Sequence, residues 1–64
     1  MKKKELKNLA TKIAKCEYVI ENSDDKDAIE IAQAEIMRLS SKVHDFQDLD
    51  LIDEMVQTLL KDMS

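Results

Sequence analysis

The chain has 64 residues without Gly or Pro and carries a formal net charge of −4 at pH 7. A chain of this length makes at most one small, marginally stable domain, because it buries only about 60% of its unfolded surface. Its single cysteine excludes an internal disulfide, and no apolar run is long enough to span a membrane. With no signal peptide visible, we expect a cytoplasmic protein that gains further burial from a partner chain.

Charge is distributed unevenly along the sequence. The segment 1–22 holds six lysines and three glutamates, for a net charge of +3, whereas the segment 23–64 has a net charge of −7. A basic first segment and an acidic remainder attract each other, within one chain or between two.

Apolar residues at alternating three- and four-residue spacing predict a first helix over about residues 3–21. This ladder consists of Leu6, Leu9, Ile13, Cys16 and Ile20. The polar segment 22–25 follows, and we expect Ser23 or Asp24 to cap a second helix there.

A second ladder predicts a helix over about residues 25–43. It consists of Ile29, Ala32, Ile36, Leu39, Val43 and Phe46. Three more apolar residues, Ile31, Ala34 and Met37, lie off this ladder, so the helix is apolar nearly all round. A helix of that kind usually lies at the centre of a bundle, and we predict that position for helix two.

A third ladder predicts a helix over about residues 46–61, capped by Asp45 in a capping-box variant with Asp48. It consists of Leu49, Ile52, Val56, Leu59 and Met63. Both connections are short, which favours antiparallel neighbours. The predicted fold is therefore all-α: a single small three-helix domain over residues 1–64, with two antiparallel helices and a shorter third.

The heptad-like spacing and a surplus of apolar helix surface favour packing as a homodimeric helical bundle with coiled-coil seams. The residues predicted to mediate self-association are Ile31, Ile36, Met37, Leu39, Ile52, Met55, Val56 and Leu59. The alternative is a closed three-helix monomer with some exposed apolar residues. The sequence also leaves open whether helix three packs on its own chain or swaps to the other.

Few residues in the chain are suited to chemistry. Cys16 lies on the first ladder, where we expect a buried structural thiol rather than a nucleophile. His44 and Asp48 are four residues apart, but the predicted helix break between them disrupts metal-ligand geometry, and the region lacks a calcium-loop pattern. We therefore predict no enzymatic activity, no cofactor and no metal site.

The lysines near the N terminus are Lys2, Lys3, Lys4 and Lys7. They are suited to contacting phosphate, but no aromatic residues are interleaved with them. A helix-turn-helix DNA reader would use the third helix, and phosphates would repel its acidic residues Asp50, Asp53 and Glu54. We therefore expect neither direct nucleic-acid binding nor membrane association.

These observations favour a non-catalytic, acidic protein-binding module that occludes or regulates a partner, of the kind that phages and mobile elements use to inhibit a host enzyme or defence system. Acidic helices would steer it towards a basic protein surface. The residues predicted to bind the partner are Asp24, Asp25, Asp27, Asp50, Asp53 and Glu54. The alternative is a self-associating assembly module, in which substitutions in the apolar seams abolish activity and charge reversals do little.

Overall fold

The computed structural model describes residues 2–63, which form three α-helices. Helix α1 is Lys3–Asn22, α2 is Lys26–Ser40 and α3 is Phe46–Met63. The predicted all-α fold is confirmed for this part of the chain. No helix within residues 2–63 combines the length and the apolarity of a membrane-spanning segment.

Two features predicted for the helices are wrong. α2 stops at Ser40 instead of continuing to residue 43. The chain tightens there, because the Lys42 amide donates to the Leu39 carbonyl at 3.3 Å and the next amide donates to the Ser40 carbonyl at 3.1 Å. α3 continues to Met63, so its 18 residues exceed the 15 of α2, and the third helix is not the shorter one.

Aspartate side chains begin both α2 and α3. Asp25 Oδ1 accepts a hydrogen bond from the Asp27 amide at 3.0 Å. Asp45 Oδ1 accepts one from the Gln47 amide at 2.8 Å. Each bond satisfies one of the amides that a helix leaves unpaired in its first turn. The Asp45 cap is therefore confirmed, whereas the cap of α2 lies later in the chain than either predicted position.

The central helix is α1, and the predicted central position of α2 is wrong. Helices α2 and α3 each pack along α1 and make little contact with each other. Ala10 and Ala14 of α1 are fully buried, and such small side chains let a neighbouring helix approach closely. The apolar residues of α2 that lie off its ladder instead face solvent: Ile31 is 71% and Met37 is 74% exposed.

Helices α2 and α3 both run antiparallel to α1. The antiparallel direction predicted for α2 and α3 across the second connection is therefore wrong, and these two helices make little contact. Val19, late in α1, shares a surface recess with Ala28, early in α2. Lys7, early in α1, shares another recess with Thr58, late in α3. The N-terminal turn of α2 therefore lies where α1 finishes, while Leu49, early in α3, shares a recess with Ser40, the last residue of α2.

The core forms where α2 and α3 cover α1. Its buried residues are Leu6, Leu9, Ala10, Ile13, Ala14, Leu39, Val43, Ile52 and Val56. Most ladder residues are buried or half-buried, but Phe46 is 83% exposed. Phe46 lies beyond the end of α2, where helical spacing no longer extends the second ladder, and it begins α3 instead.

Candidate partner-binding surfaces

Carboxylates are concentrated in the last turns of α1 and around the starts of α2 and α3. We call this set the acidic end. It consists of Glu17, Glu21, Asp24, Asp25, Asp27, Asp50 and Asp53. The antiparallel packing of α3 on α1 brings glutamate of α1 alongside aspartate of α3. Aspartates near a helix N terminus are also favoured by the helix dipole.

Glu17 and Asp53 show how close these carboxylates come to each other. Both line one recess between the helices, although they belong to α1 and α3. Glu17 is half-buried, and its pKa is raised, chiefly by burial and further by the negative charges of Glu21 and Asp53. The acidic end therefore holds charges that repel one another, and a cationic surface brought against it would relieve that repulsion.

Five of the six acidic residues that the sequence singled out for partner binding belong to the acidic end. The five are Asp24, Asp25, Asp27, Asp50 and Asp53, all exposed. The sixth, Glu54, lies one turn after Asp50 on α3 and lines a recess between α1 and α3 with Lys7. Sequence reasoning missed Glu17 and Glu21, because only the antiparallel packing of α1 places them beside the aspartates.

A smaller ion pair lies within α2. Arg38 donates hydrogen bonds to the carboxylate of Glu35, one turn earlier in the same helix. That hydrogen bond is the main cause that lowers the pKa of Glu35, and the positive charges of Arg38, Lys12 and Lys42 lower it further. Lys12 belongs to α1, so a base of the first segment contributes to the surroundings of an acid of the second.

The residues predicted to mediate self-association fall into three groups. Three are buried in the chain's own core. These are Leu39, Ile52 and Val56. Three more are half-buried against that core, namely Ile36, Met55 and Leu59. The remaining two, Ile31 and Met37, are exposed.

Met37 lies on the side of α2 that is turned away from α1, whereas Ile31 lies at the edge of that side and also lines a recess with Cys16 and Val19 of α1. Together with Ala34, which lies between them, they form a surface that we call the outer face of α2. At about 100° per residue, Ala34 at the centre of this face is opposite the buried Ala32 and Leu39. Exposed apolar patches of this kind often mark contact surfaces.

The residues considered for chemistry do not converge on one site. Cys16 is half-buried, and burial, together with the Glu35 carboxylate, raises the pKa of its thiol. A raised thiol pKa lowers the thiolate fraction and with it the reactivity of the sulfur. His44 is exposed in the connection between α2 and α3. Within residues 2–63, no group of three or more His, Cys, Asp or Glu side chains is placed to hold a metal ion.

Two surfaces of the described chain thus have properties that suit binding. The acidic end concentrates negative charge, and the outer face of α2 exposes apolar side chains. No protein-family model, no curated protein and no solved structure matches the chain.

Proposed function

We propose that this chain is a non-catalytic protein-binding module that uses the acidic end to cover a basic surface of a partner protein. The observation that carries the proposal is the close approach of acidic side chains of α1 and α3, Glu17 and Asp53, in a chain whose net charge is −4. The negative charges of Glu21 and Asp53, which add to the effect of burial in raising the pKa of Glu17, support it, because carboxylates that repel one another gain most from a cationic neighbour.

Such a module would act by electrostatic steering followed by occlusion. A concentrated negative charge raises the association rate with a positive surface, and salt weakens this effect because the Debye length is only about 10 Å at 0.1 M. Covering the working surface of the partner is enough to regulate it. Inhibition of a host enzyme or a defence nuclease by a phage or mobile element is one form of regulation that this mode of binding provides.

The proposal is tested by affinity capture from a lysate of the natural host, with the tagged wild-type chain and a variant whose acidic end is reversed. Asp50→Lys combined with Asp53→Lys raises the net charge by 4, because each substitution exchanges −1 for +1. We expect the wild type to capture a basic protein at low salt, less of it at moderate salt, and the variant to capture little at either.

The matched control reverses two acids at the other end of the molecule, Glu5→Lys and Asp62→Lys, which raises the net charge by the same amount. We expect this control to capture the partner nearly as well as the wild type, once circular dichroism has shown that both variants are folded. If the two variants lose the partner equally, overall charge decides binding and the acidic end has no special role.

Self-association as an assembly module is a second candidate function. It is favoured by the outer face of α2, where Ile31 and Met37 are largely exposed. The two functions respond differently to substitution, because the outer face of α2 contains none of the residues of the acidic end. An assembly module would lose its activity on Met37→Glu, whereas capture of a basic partner through the acidic end would not change.

A further inference from the structure

The outer face of α2 has a sequence pattern that complements itself when the direction is reversed. Counted from Ala34, Ile31 lies three residues before and Met37 three residues after. Glu30 lies four residues before and Arg38 four residues after. In a second α2 laid antiparallel with Ala34 at the crossing, each apolar residue would be level with an apolar one and each acid with a base.

The five residues also share the exposed half of the helix. Viewed down the axis of α2, the other four lie within about 60° of Ala34, two on each side. All five are exposed. A second helix that approaches this half meets the methyl group of Ala34 first, and a small residue at the crossing lets two helices pack at about 8–10 Å.

The apolar part of the contact would be made twice. In the antiparallel register, Ile31 is level with Met37 of the second copy, on the other side of the line that joins the two helix axes, and the two-fold axis repeats the pair. Ile31 is 71% and Met37 74% exposed in the single chain, so both side chains have apolar surface left to bury. That burial would be favourable in free energy.

The charged part of the contact is complementary as well. Glu30 would be level with Arg38 of the second copy, and the axis again repeats the pair. Arg38 already donates to Glu35 in its own chain. A guanidinium group has five N–H donors, and the Arg38 side chain is 59% exposed, so it has donors left for a second carboxylate.

We propose that the outer face of α2 is a self-association surface, on which a second copy of this chain docks antiparallel about a two-fold axis at Ala34. This inference rests on self-association, the second candidate function above, and adds the face, the direction and the register. One helix pair buries less than the roughly 800 Å² per partner of a standard interface. The dimer is therefore weak, and the dimeric fraction rises with the concentration of the protein.

A charge-swap series measured by sedimentation equilibrium tests the register. Glu30→Arg places arginine level with arginine, and Arg38→Glu places glutamate level with glutamate. We expect each single reversal to weaken the dimer about tenfold or more, since two symmetric pairs change from attraction to repulsion. The double variant restores both pairs with their signs exchanged, and we expect its dissociation constant to return close to the wild-type value.

The matched control for the charge series is Glu54→Arg on α3, which makes the same substitution on an exposed helical position away from the outer face of α2. We expect it to leave the dissociation constant within about twofold of the wild-type value. A double variant that stays as weak as the single reversals would rule out the proposed register.

A second pair of variants tests the face itself. Met37→Glu puts a charge into the apolar contact and should abolish the dimer, while Leu51→Glu alters a partly exposed leucine of α3 and should not. Circular dichroism would show that both variants fold, as expected for exposed positions. A dimer that persists in Met37→Glu overturns this surface but leaves self-association standing, because it then uses another face.

A cysteine at the axis gives an independent readout. In a Cys16→Ala background, Ala34→Cys places two thiols across the two-fold axis, where a disulfide would form readily on mild oxidation. Gln33→Cys, about 100° round the helix, is the control and should cross-link more slowly. A wild-type chain that is monomeric up to the highest soluble concentration would overturn both this inference and self-association, whereas binding of a basic partner would still be judged by the capture experiment.

Discussion

At the scale of single residues, the half-buried Glu17 of the acidic end is unfavourably placed for a negative charge. Its pKa is raised by burial and by the charges of Glu21 and Asp53, so the folded chain holds this proton more tightly than the unfolded chain does. The stability that follows is fully present below the ordinary glutamate pKa. It is lost as the pH rises through the raised, folded-state pKa.

Replacing Glu17 by glutamine should therefore stabilise the protein at pH 7. Glutamine keeps the shape of the side chain but never ionises, so the cost of a half-buried negative charge disappears. We expect a gain of up to about 1 kcal/mol, kept small because the group is still partly solvated. Thermal unfolding followed by circular dichroism at pH 7 and at pH 4 measures it, and the gain should shrink at the lower pH, where the wild-type carboxyl is largely protonated.

The control for this prediction is Glu54→Gln. Glu54 is exposed and shares its recess with Lys7, so neutralising it removes an attraction to a base together with the repulsion from Asp50 one turn earlier. We expect no stabilisation at either pH. An unchanged or lower unfolding temperature for Glu17→Gln at pH 7 would show that the charge of Glu17 does not reduce the stability of the fold.

At the scale of helices, the sequence correctly predicts the features that depend on residues close together in the chain. The three apolar ladders locate the helices, and Asp45 is correctly predicted as a cap because a capping side chain acts within three residues. The end of α2 at Ser40 depends instead on tertiary packing, since Val43 reaches the core from a turn rather than from a helix. The apolar spacing of the sequence is the same whether Val43 is buried from a helix or from a turn.

The cap of α2 has a measurable energetic role. Asp25→Ala removes the acceptor for the Asp27 amide and should cost about 1 kcal/mol in the free energy of unfolding, measured by urea denaturation. Asp25→Asn should restore most of that loss, because asparagine caps helices about as well. The control Asp24→Ala removes the same charge one residue earlier and should have a much smaller effect. Equal losses for the two alanine variants would attribute the effect to charge rather than to capping.

The central position of α1 shows why the helical arrangement is harder to predict than the helices. Helix α2 has apolar residues on more than one side, which favours a central helix on composition alone. The packing instead places α1 between its neighbours, with Ala10 and Ala14 fully buried. Two alanines carry little hydrophobic signal, although their small size is what allows close packing. The apolar surplus of α2 remains on its outer face.

At the scale of the whole molecule, the direction of the helices decides where charge accumulates. The sequence shows acidic residues in the last turns of α1 and in the first turns of α2 and α3. Whether these groups meet depends on the relative directions of three helices, and the short connections predict only those of consecutive ones. With α3 antiparallel to α1, Glu17 and Asp53 meet between these two helices, while Lys3, Lys4 and Lys7 lie in the first turns of α1.

Such a small fold depends strongly on its few buried side chains, and Leu39 is the largest of those that are fully buried. A domain of this size has a total stability of about 3–10 kcal/mol. Leu39→Ala should cost about 2–5 kcal/mol, through lost burial and the cavity left behind. The variant should therefore be partly unfolded at 25 °C, as measured by urea denaturation and circular dichroism at low protein concentration, where self-association does not contribute.

The matched control is Leu51→Ala on α3, where the leucine is 43% exposed. The same atoms are removed, but water already reaches the side chain and no closed cavity forms, so we expect a loss below about 1 kcal/mol. A similar loss at both positions would show that the core around Leu39 relaxes to fill the gap. In that case, α2 could shift on α1 to close the cavity, although Leu39 is completely buried.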